Sequence, residues 1–311
     1  MAEPEAEAED ISPKEPIRVI DGRWDEPRYL RFGDDEACLF TTISPIKTTS
    51  NEDCFLFVPL DENRRVLVVA DGVGGMPDGD HASRLTVESI QHYLEEGVPQ
   101  NHRVRELLLD AIENAHHAIR DRSQGSATTV AVVEIEGSLA RTYHVGDSEI
   151  LFHSNDDGLL WKSLPHSPVG YAVESGQINI DDALFDESRH LVSNVIGADV
   201  LSVEINGTFE LRAGETLLLG SDGVFDNLRL EEILEYLKFD DLQEAANQLI
   251  NECRRRMINP DQNQRYPSKP DDLTMILYRW AANPTAGELM TMDGRNEVTE
   301  DTTIRKPPEV R

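Results

Sequence analysis

The feature that most constrains the fold is a run of strand-like segments joined by short turns. Each segment is apolar and rich in β-branched residues, and Gly, Asp or Asn residues separate it from the next. Parallel strands need a long crossover connection, so spacing this tight predicts antiparallel neighbours. The segments are ATTVAVVEI (127–135), LARTYHV (139–145), EILFH (149–153) and LLWKSL (159–164).

More strands are predicted on both sides of this run, together with helices in pairs. Helical spacing of apolar residues occurs at 81–94 and 103–119, and again at 230–237 and 242–257. Antiparallel strands with paired helices predict an α+β fold, in which sheets pack face to face beneath helices. The additional predicted strands are CFLFVPL (54–60), VLVVAD (66–71), HLVSNVI (190–196), SVEINGTFEL (202–211), TLLLGSD (216–222) and LTMILYRW (273–280).

The chain reads as one domain between two polar tails. Residues 1–16 are rich in Glu, Ala and Pro and predict an acidic disordered tail, and residues 283–311 predict a polar C-terminal tail. Residues 17–282 contain no low-complexity linker or internal repeat. A hydrophobic content of 39% is enough for a sizeable core.

Charge and cysteine content exclude several classes of function. The chain has 29 Lys plus Arg against 59 Asp plus Glu, a formal net charge of -30, which disfavours binding to nucleic acid or to an anionic membrane. The 3 cysteines form no CxxC pair, which argues against a disulfide framework and a thiolate zinc site. The N-terminus does not resemble a signal peptide, and no apolar run approaches the roughly 20 residues that span a bilayer. We therefore expect a cytoplasmic protein.

Acidic residues recur at the edges of the predicted strands. Two apolar strands end in Asp-Gly, and hard divalent cations prefer carboxylate and carbonyl oxygens held in this way. One Asp-Gly after a strand is more often simply a turn, and coincidence stays open in so acidic a chain. Motifs for NTP, dinucleotide, nucleophile-elbow and zinc-protease sites are absent. The acidic positions are Asp71-Gly72, Asp222-Gly223, Glu52-Asp53, Asp147 and Asp271-Asp272.

The order of these motifs resembles the metal-dependent protein phosphatases of type 2C, and in particular their bacterial branch. The resemblance covers roughly residues 50–280 and implies a four-layer α-β-β-α sandwich, two antiparallel sheets flanked by helices. It also implies hydrolysis of phosphoserine and phosphothreonine in proteins, a signalling reaction that would oppose a cognate serine/threonine kinase. The motifs are NED (51–53), ADGVGG (70–75), SATTVAVV (126–133), VGDSE (145–149), GSDGVFD (220–226) and DDLT (271–274).

The resemblance gives each acidic residue a role around two Mn²⁺ or Mg²⁺ ions. Two cations about 3.5–4 Å apart lower the pKa of a shared water and clamp the phosphate, so the carboxylates position metals and no covalent intermediate is needed. Asp71 is the implied bridging ligand. The other implied ligands are Asp222 and Asp271 for the first ion, the Gly72 carbonyl and Glu52 for the second, Asp53 in support, and Asp147 with Asp222 for a looser third ion of some members.

Three positions depart from the family pattern. Thr48 stands where relatives commonly have a phosphate-binding Arg, and the adjacent Lys47 can supply a point charge but no bidentate fork. Glu149 replaces an Arg and is expected to face solvent, with a place near the third metal as the alternative. Val73 cannot donate a proton.

Residues 167–187 match a variable flap, either a substrate-recognition element or an ordinary insertion.

Two other functions stay open. One is a phosphoprotein-binding adaptor of the same fold that has lost turnover, which the departures at Thr48 and Glu149 keep in view. The other is a phosphatase for small phosphorylated molecules, with the same metals and a different flap.

Overall fold

The computed structural model describes residues 13–73, 78–122, 125–261, 263 and 265–280. The expected C-terminal tail (283–311) and residues 1–12 of the expected N-terminal tail lie outside the described residues. Gly74 and Gly75 of the ADGVGG motif do so as well.

The described chain alternates groups of strands with pairs of helices. The strands are β1 (Ile17–Ile20), β2 (Arg28–Phe32), β3 (Asp35–Thr42), β4 (Asp53–Pro59), β5 (Arg64–Asp71), β6 (Val130–Glu136), β7 (Leu139–Val145), β8 (Glu149–Ser154), β9 (Gly158–Lys162), β10 (Glu204–Ile205), β11 (Phe209–Glu210), β12 (Thr216–Gly220) and β13 (Leu273–Arg279). The helices are α1 (Gly79–Gly97), α2 (Val104–Arg122), α3 (Pro168–Glu174), α4 (Ile180–Ala183), α5 (Asp222–Phe225), α6 (Leu230–Leu237) and α7 (Leu242–Ile258).

The strands form two antiparallel sheets. The first sheet has the order β1-β4-β5-β6-β7-β10, with β11 also paired to β7, and the second has the order β2-β3-β13-β12-β8-β9. Strands joined by short turns, such as β4 and β5, β6 and β7, and β8 and β9, pair antiparallel as predicted, whereas β7 and β8 lie in different sheets despite their short connection. Each sheet also pairs strands that lie about 50 residues or more apart in the chain, such as β5 with β6 and β13 with β12. Strand ends that are distant in sequence therefore lie side by side.

Three hydrophobic cores separate four layers. In β4, Cys54 and Leu56 face α1 and α2, whereas Phe55 and Phe57 face the second sheet, because successive side chains of a strand point to opposite faces. A third core lies between the second sheet and α5, α6 and α7 and includes Leu249. The predicted α-β-β-α sandwich is therefore confirmed.

Some local predictions were wrong. The segment HLVSNVI (190–196) forms turns rather than a strand, with one bridge between Ile196 and Thr128, because Asn194 uses its side-chain amide to bond the Ser202 backbone. The predicted strand 202–211 is two short strands separated by residues 206–208. Strands β1, β2 and β3 were not predicted. No helix in the described part of the chain is long and apolar enough to cross a membrane.

Candidate active site

The two Asp-Gly strand ends lie at one common edge of the sandwich. Asp71 ends β5 and pairs in register with Asp53 at the start of β4, both in the first sheet. Asp222 follows β12 in the second sheet, and Asp271 directly precedes the neighbouring β13. A hydrogen bond of 2.7 Å from the Ser221 hydroxyl to the Asp53 carboxylate joins the two sheets at this edge. The fold thus brings together the predicted carboxylates.

The glycines of both Asp-Gly pairs allow close approach of a second backbone segment. A Cβ on Gly72 would lie 2.3 Å from the carbonyl oxygen of Gly79, where α1 begins. A Cβ on Gly223 would lie 1.9 Å from the carbonyl oxygen of Asp272. The sequence had suggested a sharp turn at these glycines, whereas the structure shows that they remove a steric barrier between segments.

Negative charge accumulates between these strand ends. Burial and the nearby Asp53 and Asp222 carboxylates raise the pKa of Asp71 well above its ordinary value. Burial and the Asp222 carboxylate raise the pKa of Asp147 to about 8 and that of Asp271 to about 7. Except for the buried Asp53, these residues are still partly exposed, so an ion could reach them. An all-oxygen group of crowded, ionisable carboxylates suits a hard divalent cation, whose charge would offset their mutual repulsion.

Asp272 was not singled out from the sequence as a site residue, yet its carboxylate holds the neighbouring loop. It is 3% exposed and accepts hydrogen bonds from the backbone N–H groups of Ser44 (2.8 Å) and Glu52 (2.7 Å). The Lys47 ammonium lies 2.7 Å from the same carboxylate and also contacts Glu52. Lys47 therefore lies at the site, but its charge is directed at carboxylates, and its predicted contact with substrate phosphate remains a prediction.

A second lysine, Lys269, was also missed. Its ammonium contacts the Asp222 carboxylate and lies 3.2 Å from the carboxylates of Asp226 and Asp271. Burial alone would lower the pKa of Lys269, but Asp222, Asp226 and Asp271 outweigh burial and raise it. Burial and Asp222 raise the pKa of Asp226 to about 6, although Lys269 opposes them. Asp226 lies four residues after Asp222, one turn of helix further on, which was the available sequence signal.

Comparison with known proteins gives the family. The profile of the protein phosphatase 2C family matches residues 46–259. The chain belongs to the protein phosphatase 2C family. Protein phosphatase PhpP of Streptococcus pneumoniae is 27% identical over 213 residues, which cover 66% of this chain and 85% of PhpP. Serine/threonine protein phosphatase PstP of Mycobacterium tuberculosis is 28% identical over 204 residues, which cover 63% of this chain but only 38% of PstP.

A solved structure supports the same fold. The catalytic domain of serine/threonine protein phosphatase PstP, in complex with two manganese ions, superposes with a TM-score of 0.64. Its sequence identity is 22%, and the match covers 80% of this chain and 99% of that one. With the family match, the predicted enzyme class, a protein serine/threonine phosphatase, is confirmed.

This phosphatase 2C chain departs from one expectation at Glu149. The side chain is not in solvent: Glu149 is 7% exposed and contacts the Lys162 ammonium. The reason is that β8 is a central strand, paired with β12 on one side and β9 on the other, so even its first residue is covered. Glu149 is thus held away from solvent by a lysine of β9, and burial lowers the pKa of Lys162 to about 8.

The flap-like segment 167–187 is tied to the acidic edge. It holds α3 and α4, and Ser167 caps α3 by accepting a hydrogen bond of 2.9 Å from the Gly170 N–H. Just beyond it, Arg189 lies 3.7 Å from the Asp226 carboxylate and donates to the Ser268 carbonyl at 3.1 Å. The segment therefore borders the site, and both readings of its role stay open.

One further cluster contains potential metal ligands. In the described part of the chain, His144, His166 and Glu204 place one ligand atom each within 4.8 Å of one another. Their hydrogen bonds argue against a metal. Nδ1 of His166 accepts from the Gly146 N–H at 3.1 Å, so its Nε2 carries the proton that faces Glu204 at 3.2 Å. Nε2 of His144 faces the Leu164 carbonyl at 3.0 Å and so carries a proton as well.

Proposed function

We propose that this chain hydrolyses phosphoserine and phosphothreonine in proteins with two divalent metal ions, Mn²⁺ or Mg²⁺. The observation that supports the proposal most is the convergence of Asp71, Asp222 and Asp271 from both sheets at one edge. PstP, a structural neighbour, is in complex with two manganese ions. The proposed catalytic domain comprises residues 17–282, with 167–187 as its flap.

The proposed ligands follow from the placement of the carboxylates. Asp71 is the carboxylate on which the charges of four others act, namely Asp53, Asp222, Asp271 and Asp147. A ligand surrounded in this way can bridge two ions. The remaining proposed ligands are Asp222 and Asp271 for one ion, and the Gly72 carbonyl and Glu52 for the other, with Asp53 in support and Asp147 at the margin.

The protein holds Asp71 in place through its backbone. The Thr128 hydroxyl and the Thr129 N–H donate to the Asp71 carbonyl at 2.7 and 2.8 Å, and the Gly72 N–H donates to the Glu52 carbonyl at 3.1 Å. Fixed ligands of this kind lower the cost of assembling a metal site. When bound, the two ions supply charge neutralisation at the phosphoryl oxygens and a lowered pKa for water. Val73, in contrast, has no proton to give to the leaving group.

The first experiment measures hydrolysis of p-nitrophenyl phosphate and of a phosphothreonine peptide. Metal-stripped protein is assayed with and without Mn²⁺ or Mg²⁺, beside Asp222→Asn. We expect turnover that depends on metal and falls at least 100-fold in the variant, because one ligand oxygen becomes a neutral amide. The matched control is Asp156→Asn, which changes an exposed aspartate in the turn between β8 and β9.

The outcomes separate the alternatives. Binding of a phosphopeptide without turnover, in the presence of either metal, would favour the adaptor of the same fold. Faster turnover of sugar phosphates or nucleotides than of phosphopeptides would favour a small-molecule phosphatase. Activity in both Asp222→Asn and the control would overturn the proposed ligand set.

We also propose a cellular context for the reaction. Phosphorylated proteins are the proposed substrates, with a cognate serine/threonine kinase as the source of the phosphate. Cys38, Cys54 and Cys253 are buried free thiols, which agrees with a reducing compartment such as the cytoplasm.

A further inference from the structure

We propose that Lys269 is a built-in cation of the active site that holds Asp222 and Asp226 and thereby limits this chain to two divalent ions, leaving no third ion beside Asp147. The inference rests on the proposed function for the two ions. It concerns a lysine that the family resemblance does not assign.

The contacts of Lys269 define the position of its charge. The ammonium contacts one oxygen of Asp222, Oδ2, and lies 3.2 Å from Oδ2 of both Asp226 and Asp271. The side chain is 18% exposed, so these contacts form mostly out of water. Three carboxylates around one ammonium use all three of its N–H donors.

The backbone at Lys269 is fixed by side chains of the fold. Asn227, which is fully buried, accepts from the Lys269 N–H and donates to the Lys269 carbonyl, both at 2.8 Å. The preceding residue, Ser268, donates to the Arg256 carbonyl at 2.9 Å and accepts from Arg189 at 3.1 Å. The lysine therefore starts from an anchored segment and reaches a defined point between the aspartates.

The same oxygens would be needed by a third ion. The charges of Asp222 and Asp226 act on Asp147, and these two carboxylates already hold the ammonium. A divalent cation next to that ammonium would meet charge repulsion and would have to share or displace it. The first ion is less affected: it shares Asp222 and Asp271 with the ammonium, but its bridging ligand Asp71 makes no ion pair with Lys269 among the described residues. The geometry thus favours two ions and one ammonium.

The experiment counts bound Mn²⁺ directly. Metal-stripped protein is titrated with Mn²⁺, and free Mn²⁺ is followed by electron paramagnetic resonance, with calorimetry for the dissociation constants. We expect two ions per wild-type chain, three in Lys269→Met, and two in Lys269→Arg, which keeps the charge. Lys238→Met is the matched control: it removes an exposed lysine that directly follows α6 and should leave the count at two.

Each result bears on the proposal. Three ions in the wild-type protein, or two in a folded Lys269→Met, would overturn it. If the variant fails to fold, the number of Mn²⁺ ions bound by the wild-type protein still tests the proposed limit of two. Failure of the proposed function gives different results. Two bound ions without hydrolysis would refute the phosphatase reaction and leave the role of Lys269 intact, whereas no Mn²⁺ binding would refute both.

Discussion

Replacing Gly223 with alanine tests how the fold brings Asp222 and Asp271 together. The added Cβ would lie 1.9 Å from the carbonyl oxygen of Asp272 and 3.1 Å from the Cα of Leu273. Both neighbours are backbone atoms, so the segments must separate by about 1 Å or more, and overpacking of this kind costs about 3 kcal/mol. Alanine is the better helix former by about 1 kcal/mol, and Gly223 lies in α5. The net expected loss of stability is therefore about 2 kcal/mol.

Urea unfolding in EDTA measures this loss without a contribution from metal. The matched control is Gly207→Ala, because a Cβ at Gly207 meets nothing within 4 Å. Its effect should stay within about 0.5 kcal/mol of the wild-type value. Metal-dependent hydrolysis should fall about 100-fold in Gly223→Ala, since a displacement of about 1 Å at reacting groups has effects of that size.

The result that refutes this reasoning is specific. If Gly223→Ala were as stable as Gly207→Ala and kept its Mn²⁺ affinity, the Asp272 carbonyl would not lie against Gly223. The close approach, and with it the placement of Asp271 beside Asp222, would then be wrong.

Three more predictions concern side chains that are buried or already held in ion pairs. Burial lowers the pKa of His153 to about 4, so on acidification the unfolded chain binds a proton at this histidine before the folded chain does. The contribution of the neutral His153 to the free energy of unfolding is therefore complete above about pH 6.5 and is lost as the pH falls toward 4. From pH 7 to 5, urea unfolding should therefore show a loss about 2 kcal/mol smaller in His153→Phe than in wild type. Arg256→Met, which strands the partly buried Glu232, should lower the free energy of unfolding by about 3 kcal/mol in the same assay. Lys47→Ala should raise KM for a phosphopeptide only about threefold, because its ammonium already pairs with Asp272; an unchanged KM would remove Lys47 as a phosphate ligand.

The strand ends were predictable because their signals are local. An apolar run followed by Asp-Gly identifies where β5 and β12 end, and the short turns gave the antiparallel arrangement. The meeting of Asp71 and Asp222 depends instead on the packing of two sheets, which involves residues about 150 positions apart. The sequence alone indicated this only through the order of motifs that resembles the phosphatase family.

The missed residues share one physical reason. Lys269 has no sequence signal of its own, whereas Asp226 lies four residues after Asp222 and Asp272 belongs to an acidic pair; the contacts of all three come from segments that tertiary structure brings near. Glu149 was misplaced for a related reason. It is the first residue of a predicted strand and we expected it to face solvent, but the position of β8 inside the second sheet decides its burial.

Lys47 and Lys269 together explain how so acidic an edge can stay folded before it binds metal. Lys47 pairs with Glu52 and Asp272 on one side, and Lys269 pairs with Asp222, Asp226 and Asp271 on the other.

Without these two ammonium groups, the carboxylates would repel one another with only divalent ions to offset the charge. We therefore expect the double variant, with methionine at both lysine positions, to melt about 6–12 °C below wild type in EDTA, since a loss of about 3 kcal/mol shifts Tm by about 2–4 °C per kcal/mol in a domain of this size. Saturating Mn²⁺ should recover most of that difference, because the ions take over the neutralisation. Equal melting temperatures in EDTA would show that the lysines do not stabilise the site, and a deficit unchanged by Mn²⁺ would show that the ions bind elsewhere.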